Sequence, residues 1–236
     1  MEFGKVYLFP TPIAEGNTEG QLPNENLQRL KECDVFVVEE LRTARRFLRK
    51  AGYKRDFADV EFFVLNEHTL NEDLTPCIEL IKEGKTVGVM SEAGLPCVAD
   101  PGATFVALCQ RQGIRIEPLV GPSSIMMALM ASGFNGQSFA FQGYLPIEKA
   151  DRSTRLKQLE KRIYSEHQTQ IFIETPYRNM QMLEELCRTL QGQTRLCVAA
   201  DITAENEYIR TMTIEAWRKA GVPPFEKRPT IFILGI

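Results

Sequence analysis

Apolar residues in the first half of the chain fall into short runs rich in β-branched and aromatic side chains: KVYLF, DVFVVE, VEFFVL, TVGVM and IRIEPLV. Between them, ENLQRLKEC, LRTARRFLRKAG, EDLTPCIELIKEGK and ATFVALCQRQG carry apolar residues at helical spacing and mostly end near Gly or Lys. Such alternation predicts an α/β unit with a mainly parallel sheet and helices on both faces.

The rhythm changes after GPSSIMMALMASGFNGQ. A strand SFAFQGYLP leads into the charged helix KADRSTRLKQLEKRIYSE, then strand TQIFIET, helix PYRNMQMLEELCRTL, strand RLCVAAD, an antiparallel piece EYIRTMTI and a final strand TIFILGI. The glycine-rich SGFNGQ reads as a hinge, giving two α/β domains of about 1–135 and 136–236, the second with a mixed sheet.

Composition narrows the class. The 236 residues are 44% hydrophobic and 25% charged with a net charge of −3, the range of ordinary globular proteins, so any grip on nucleic acid must come from local basic patches. Six scattered cysteines, no C-x-x-C pair and only two histidines suggest buried thiols of a reducing cytoplasm, with no metal site and no disulfide framework. The N-terminus MEFGKVYLFPTP lacks the features of a secretory signal, and no apolar run reaches membrane-spanning length. A soluble cytoplasmic chain with no membrane partner is expected.

In open α/β sheets, ligands bind beyond the carboxyl ends of the strands. Here PTPIAEGNTEG follows the first strand, EELRTAR the second, SEAGLP the fourth and GPSS the fifth. In SEAGLPCVADPG, Gly94 permits a positive φ or close backbone approach, and Pro96 and Pro101 fix φ. Residues 91–96 suit a flat ligand or a tight turn equally, whereas Asp100, Pro101 and Gly102 read as the cap of the next helix. Ser123 and Ser124 sit at a helix N-terminus, as oxygen-binding groups or as caps. Dinucleotide, P-loop and nucleophile-elbow motifs are absent from the sequence.

Two basic runs stand out. Arg42, Arg45, Arg46 and Arg49 recur at three- and four-residue spacing beside Lys50, Lys54 and Arg55; Lys149, Arg152, Arg155, Lys157, Lys161 and Arg162 follow the hinge. Each is a phosphate-binding face or a solvated helix surface. His68 is a candidate general base, and Glu39, Glu174 and Asp201 end predicted strands, where carboxylates serve sites or cap helices.

Taken in order, the motifs resemble the tetrapyrrole methylase superfamily of S-adenosylmethionine-dependent methyltransferases, and within it the branch that methylates a ribose 2′-hydroxyl of a cytidine in small-subunit ribosomal RNA. The resemblance covers nearly the whole chain. It rests on LFPTPI, VVEELRTAR, SEAGLPCVADPG, GPSS, FQGYLP and FIETPYR. The superfamily's R-E-L-T-K segment is most nearly ADITA, 200–204, without its Arg and Lys.

The resemblance implies two α/β domains with the cofactor S-adenosylmethionine folded in a cleft between them, a homodimer, structured RNA as partner and no metal. It places the cofactor against Pro10, Glu92, Ala93, Gly94, Leu95, Pro96, Ser123, Ser124, the main chain of Phe141 and Gly143, and Thr175, with Leu95 and Met126 as apolar flanks. Glu39 and Arg42 in one domain, with Glu174 and Arg178 in the other, are the expected acceptor-facing residues: the carboxylates orient or deprotonate a hydroxyl and the arginines hold an acceptor phosphate. Salt bridging and helix capping are their alternative roles. Two other functions fit the same residues: methylation of a tetrapyrrole or other small molecule, and a non-catalytic RNA-binding or cofactor-sensing module.

Overall fold

The computed structural model describes residues 3–14, 18–66, 69, 71–220 and 225–236, in two compact units, Met1–Ser123 and Ser124–Ile236. In the first unit, β1 (Lys5–Phe9), β2 (Val35–Val38), β3 (Glu61–Val64), β4 (Val87–Met90) and β5 (Arg115–Pro118) form a sheet in the order β3-β2-β4-β1-β5, every neighbour parallel. The helices are α1 (Thr18–Gln21), α2 (Asn24–Leu30), α3 (Leu41–Lys50), α4 (Thr75–Lys82) and α5 (Gly102–Arg111).

The period-two alternation of strands distributes the apolar runs over both sheet faces. Val6, Val35, Val37, Val87 and Val89 pack with Cys77 and Ile81 of α4 and Phe105 and Cys109 of α5. Tyr7, Phe9, Phe36, Val38 and Met90 pack with Leu30 of α2 and with Ala44 and Leu48 of α3. Helices on both faces force all four central residues of β2 and of β4 to be buried, so these strands are continuous apolar runs.

The second unit holds α6 (Ser124–Ser132), β6 (Phe139–Tyr144), α7 (Lys149–Glu166), β7 (Thr169–Ile173), α8 (Asn179–Thr189), β8 (Arg195–Ala200), β9 (Tyr208–Thr213), α9 (Ile214–Lys219) and β10 (Thr230–Gly235). Its sheet runs β6-β7-β10-β8-β9, with β6 and β7 parallel and the other pairs antiparallel. Because β7 and β8 both oppose β10, the carboxyl ends of β6, β7 and β8 share one sheet edge. Phe172, Val198 and Phe232 face Leu156 and Leu159 of α7, Leu183 and Leu186 of α8 and Trp217 of α9, while Ile171, Cys197 and Ile233 face Ala128 and Leu129 of α6.

The division between the units falls ahead of the SGFNGQ segment. Helix α6 covers one face of the second sheet, and Ser132 accepts a 2.8 Å bond from the Thr211 hydroxyl of β9. EYIRTMTI is not all strand: Thr213 accepts the Ala216 N–H at 3.1 Å and starts α9 at Ile214. The last strand, TIFILG, takes the centre of its sheet, and all six of its residues are buried.

Candidate active site

Three strand-end loops of the first unit are tied together. After β1, the buried Thr11 exchanges main-chain hydrogen bonds with Gly94 of the loop after β4: Thr11 N–H donates to Gly94 O at 2.9 Å and Gly94 N–H to Thr11 O at 3.1 Å. The Thr11 hydroxyl adds a 3.2 Å bond to Ser91 O. Gly94 has φ +78°, a conformation that costs any L side chain strain. The GPSS turn after β5 packs against the same place. A Cβ on Gly121 would lie 2.1 Å from Cβ of the Pro10 ring, so only glycine allows that approach. Asn26 of α2 fixes the turn by donating to Val120 O at 2.8 Å.

The predicted cofactor residues of this unit are thus gathered, but not all are offered alike. Both main-chain polar groups of Gly94 are consumed by Thr11, so the glycine shapes the loop. Glu92 and Ala93 are exposed, Leu95 is half-buried, and Pro10 and Pro96 are buried. Ser123 closes the first unit, and Ser124 is the first residue of α6. Thr11 and Gly121, which lock the loops, were not among the predicted site residues. Their signal was present in the PTPI and GPSS stretches themselves.

Beside these loops stand three carboxyls. Glu39, at the end of β2, is half-buried, and that burial raises its pKa; the main chain at Glu92 opposes the rise, and the charges of Asp100 and Glu92 add to it. Glu92 reaches solvent, yet partial desolvation raises its carboxyl too, against a hydrogen bond from Thr43. Asp100 is raised by burial although Gly102 N–H and Cys97 N–H donate to its Oδ1 at 2.7 and 2.8 Å. These bonds make Asp100 the capping group ahead of α5, with Pro101 at the N-cap. Glu39, Asp100, Met90 and Gly102 help line a cavity of about 10 Å³, space for roughly one water-sized sphere. Glu40 caps α3, accepting the Arg42 and Thr43 N–H groups at 2.9 and 2.6 Å, and the Arg42 side chain is exposed in the first turn.

In the second unit, the expected residues collect on the carboxyl edge of the sheet. The β6 register shifts between Phe141 and Tyr144, and Gly143 there has φ +64° with open space where a Cβ would stand. The Phe141 side chain packs into the apolar layer, leaving its main chain as the usable part. At the end of β7, Glu174 is buried, and its Oε1 accepts from Thr175 N–H at 2.6 Å and from Arg178 Nε and Nη2 at 3.0 and 2.6 Å. The carboxylate therefore holds Arg178, whose side chain stays 29% exposed. At the end of β8, Asp201 adopts φ +50° and accepts from Arg228 Nε at 2.6 Å and Asn206 Nδ2 at 2.6 Å. Arg228 thereby brings a guanidinium to the ADITA turn, which has no basic residue of its own. Sequence reasoning missed it, since 27 residues separate the pair.

The basic runs divide when seen in three dimensions. Arg45 and Arg49 of α3 stack on Phe57, Arg45 also on Phe62, and Arg49 Nη1 donates to Tyr53 O and Arg55 O, so the four arginines do not form one free face, although Arg42, Arg46 and Arg49 are all exposed. In α7, Arg152 is buried against Glu185 with a 2.7 Å bond from Nε, Arg155 donates to Gln142, and Arg162 pairs with Glu166. His68 lies outside the described residues. Cys33, Cys77, Cys109 and Cys197 are buried and unpaired thiols, and burial pushes Cys77 up to about 12. Among the described residues no group of three or more His, Cys, Asp or Glu side chains could hold a metal ion, and no helix is long and apolar enough to cross a membrane.

The sequence profile of the Tetrapyrrole (Corrin/Porphyrin) Methylases matches residues 18–217. Ribosomal RNA small subunit methyltransferase I of Thermotoga maritima is 32% identical over 226 residues, spanning 95% of this chain and 93% of that protein. The protein of the same name from Vibrio cholerae is 29% identical, over 89% of this chain and 68% of its own. Among solved structures, the methyltransferase CobJ superposes with a TM-score of 0.63 at 16% identity, covering 98% of this chain and 94% of that one. Uroporphyrin-III C-methyltransferase of Thermus thermophilus, complexed with S-adenosylhomocysteine, gives 0.57 at 18% identity, covering 98% and 97%. The fold is shared with a class of methyltransferases, and the chain belongs to the tetrapyrrole methylase family.

Proposed function

We propose that this chain transfers a methyl group from S-adenosylmethionine to a ribose 2′-hydroxyl of small-subunit ribosomal RNA. The observation that carries the reading is the locking of the β1, β4 and β5 loops through the Thr11–Gly94 exchange and the Gly121–Pro10 contact, in a chain similar along its length to a ribosomal RNA methyltransferase. The residues present fit the cofactor: the exposed Glu92 and Ala93, a half-buried apolar Leu95, and an open backbone at Gly143 suit the flat adenosine part of the ligand. When bound, that cofactor supplies a methyl group already activated on a sulfonium, transferred by direct displacement.

The chain's own residues then have three tasks. Pro10, Glu92, Ala93, Gly94, Leu95, Pro96, Ser123 and Ser124, with Phe141, Gly143 and Thr175, bind the donor and fix its direction, which is where most of the acceleration of an in-line transfer arises. Glu39, its pKa raised by burial, accepts the proton from the attacking hydroxyl, since a carboxyl shifted toward neutrality is a better matched base. Arg42 and Arg178 hold acceptor phosphates, with Glu174 positioning Arg178. A cytoplasmic homodimer completes the proposal; the exposed Met130 and Ile147 are apolar surface of the kind that a second copy would cover.

The test is incubation with methyl-labelled S-adenosylmethionine and, separately, small ribosomal subunits, free small-subunit ribosomal RNA and a tetrapyrrole pool. Label in RNA that makes one linkage resistant to alkaline cleavage is expected. Label in the tetrapyrroles alone would replace the RNA reading. Cofactor binding without label in any pool would leave a binding module.

A further inference from the structure

Lys157 and Lys161 lie four residues apart on α7, and neither makes a salt bridge among the described residues, although the arginines of the same run, Arg152, Arg155 and Arg162, are all engaged by protein groups. Both lysines line a groove of about 590 Å³ together with Tyr164, Ser165, Gln191 and Gln193. Its floor contains one carboxylate, Glu160, which is buried. The Glu160 oxygens are taken by Gln191 N–H at 2.8 Å, the Thr194 hydroxyl at 2.6 Å and Gln191 Nε2 at 3.5 Å. The Tyr164 hydroxyl is anchored 2.9 Å from Thr194 Oγ1 while the residue stays 36% exposed. Like charges four apart on a helix repel, so leaving two lysines unpaired disfavours the free helix unless an anion enters between them. Two ammonium groups, amide and hydroxyl donors and an anchored aromatic ring on one concave surface match a nucleic-acid backbone.

We propose that this groove is a second docking site for the RNA substrate, taking backbone phosphates away from the nucleotide that is methylated; this rests on the RNA reading above. Its place in the fold supports the separation. The groove is built from the second half of α7 and the 190–194 loop, which precede β7 and β8, whereas Gly143 lies near the carboxyl end of β6 and Glu174 and Asp201 follow β7 and β8, on the opposite edge of the sheet. Five- and six-residue strands put those edges roughly 17–20 Å apart. The groove therefore contributes affinity and register and takes no part in the transfer.

The experiment compares wild type, Lys157→Gln/Lys161→Gln and Lys157→Arg/Lys161→Arg for binding to small-subunit ribosomal RNA across a salt series, with S-adenosylhomocysteine affinity and melting temperature as controls. Loss of two phosphate contacts should lower the slope of log K against log salt by about 1.4–1.8. The arginine pair should keep the wild-type slope, and the controls and kcat at saturating RNA should stay at wild-type values. An unchanged slope in the glutamine pair, with wild type binding and methylating RNA, overturns the groove alone. Failure of wild type to bind any RNA overturns the substrate reading and the groove with it.

Discussion

Replacing Gly94 separates the two demands placed on the loop after β4. At φ +78° an alanine pays the left-handed penalty of about 1–2 kcal/mol, and a β-branched valine pays more. The protein itself leaves room, since a Cβ would stand 3.5 Å from Pro122 O and 4.0 Å from Ile13 Cγ1, both ordinary contacts. If the loop relaxed to relieve the strain, it would surrender the two bonds to Thr11, each contributing roughly 0.5–1.5 kcal/mol. Gly94→Ala should therefore cost about 1–3 kcal/mol in either case, a few degrees of melting temperature, and leave a folded protein. Cofactor affinity should fall further than that, because the strained loop, with Glu92, Ala93 and Leu95, is the surface proposed to meet the donor. Calorimetric titration with S-adenosylhomocysteine, alongside thermal unfolding of wild type, Gly94→Ala and Gly94→Val, measures both quantities. Wild-type affinity in a folded, destabilised Gly94→Ala protein would refute the reasoning, since Gly94 would then be a turn residue with no bearing on the ligand.

Three further outcomes are expected. Glu39→Gln should abolish methyl transfer while keeping cofactor binding; because burial raises the native pKa of Glu39, the native state holds its proton longer than the unfolded chain, so stability falls as pH rises just above the ordinary carboxylate range, and the variant should flatten that fall in thermal melts. Arg152→Met should destabilise the second unit by up to about 3–5 kcal/mol in denaturant unfolding, because it leaves the buried Glu185 carboxylate with only the more distant, exposed Arg188 at 3.5 Å, and Arg152→Met/Glu185→Leu should recover most of the loss; equal losses would show that the pair acts through packing alone. Arg42→Gln/Arg46→Gln should lower the RNA salt slope by about 1.4–1.8 with an unchanged melting temperature, whereas Arg45→Ala should lower the melting temperature by removing its stack on Phe57 and Phe62.

The strand runs were legible because a sheet covered on both faces must be apolar at every central position, and KVYLF, VFVV, VGVM and TIFILG have that property without reference to any neighbour. The strand-end loops were legible for a similar local reason: glycines and prolines at Pro10, Gly94, Pro96 and Gly121 mark backbone geometry that few other residues accept. Helix α9 was hidden because Thr213 ends β9 and caps the helix at once, so the change from a period of two to 3.6 has no loop to announce it.

What tertiary structure alone decided is partnership between residues distant in the chain. Thr11 meets Gly94, Gly121 meets the Pro10 ring, and Arg228 meets Asp201 because the strands that carry them are neighbours in their sheets. Sequence spacing likewise marked six cations around α7 as equivalent. Burial of Arg152 against Glu185 and of Glu160 beneath its groove made them unequal, since a charge removed from water must find a partner nearby and one left in water need not. Helical periodicity records which residues share a face, but the identity of the surface that face meets is set by chain folded back from far along the sequence.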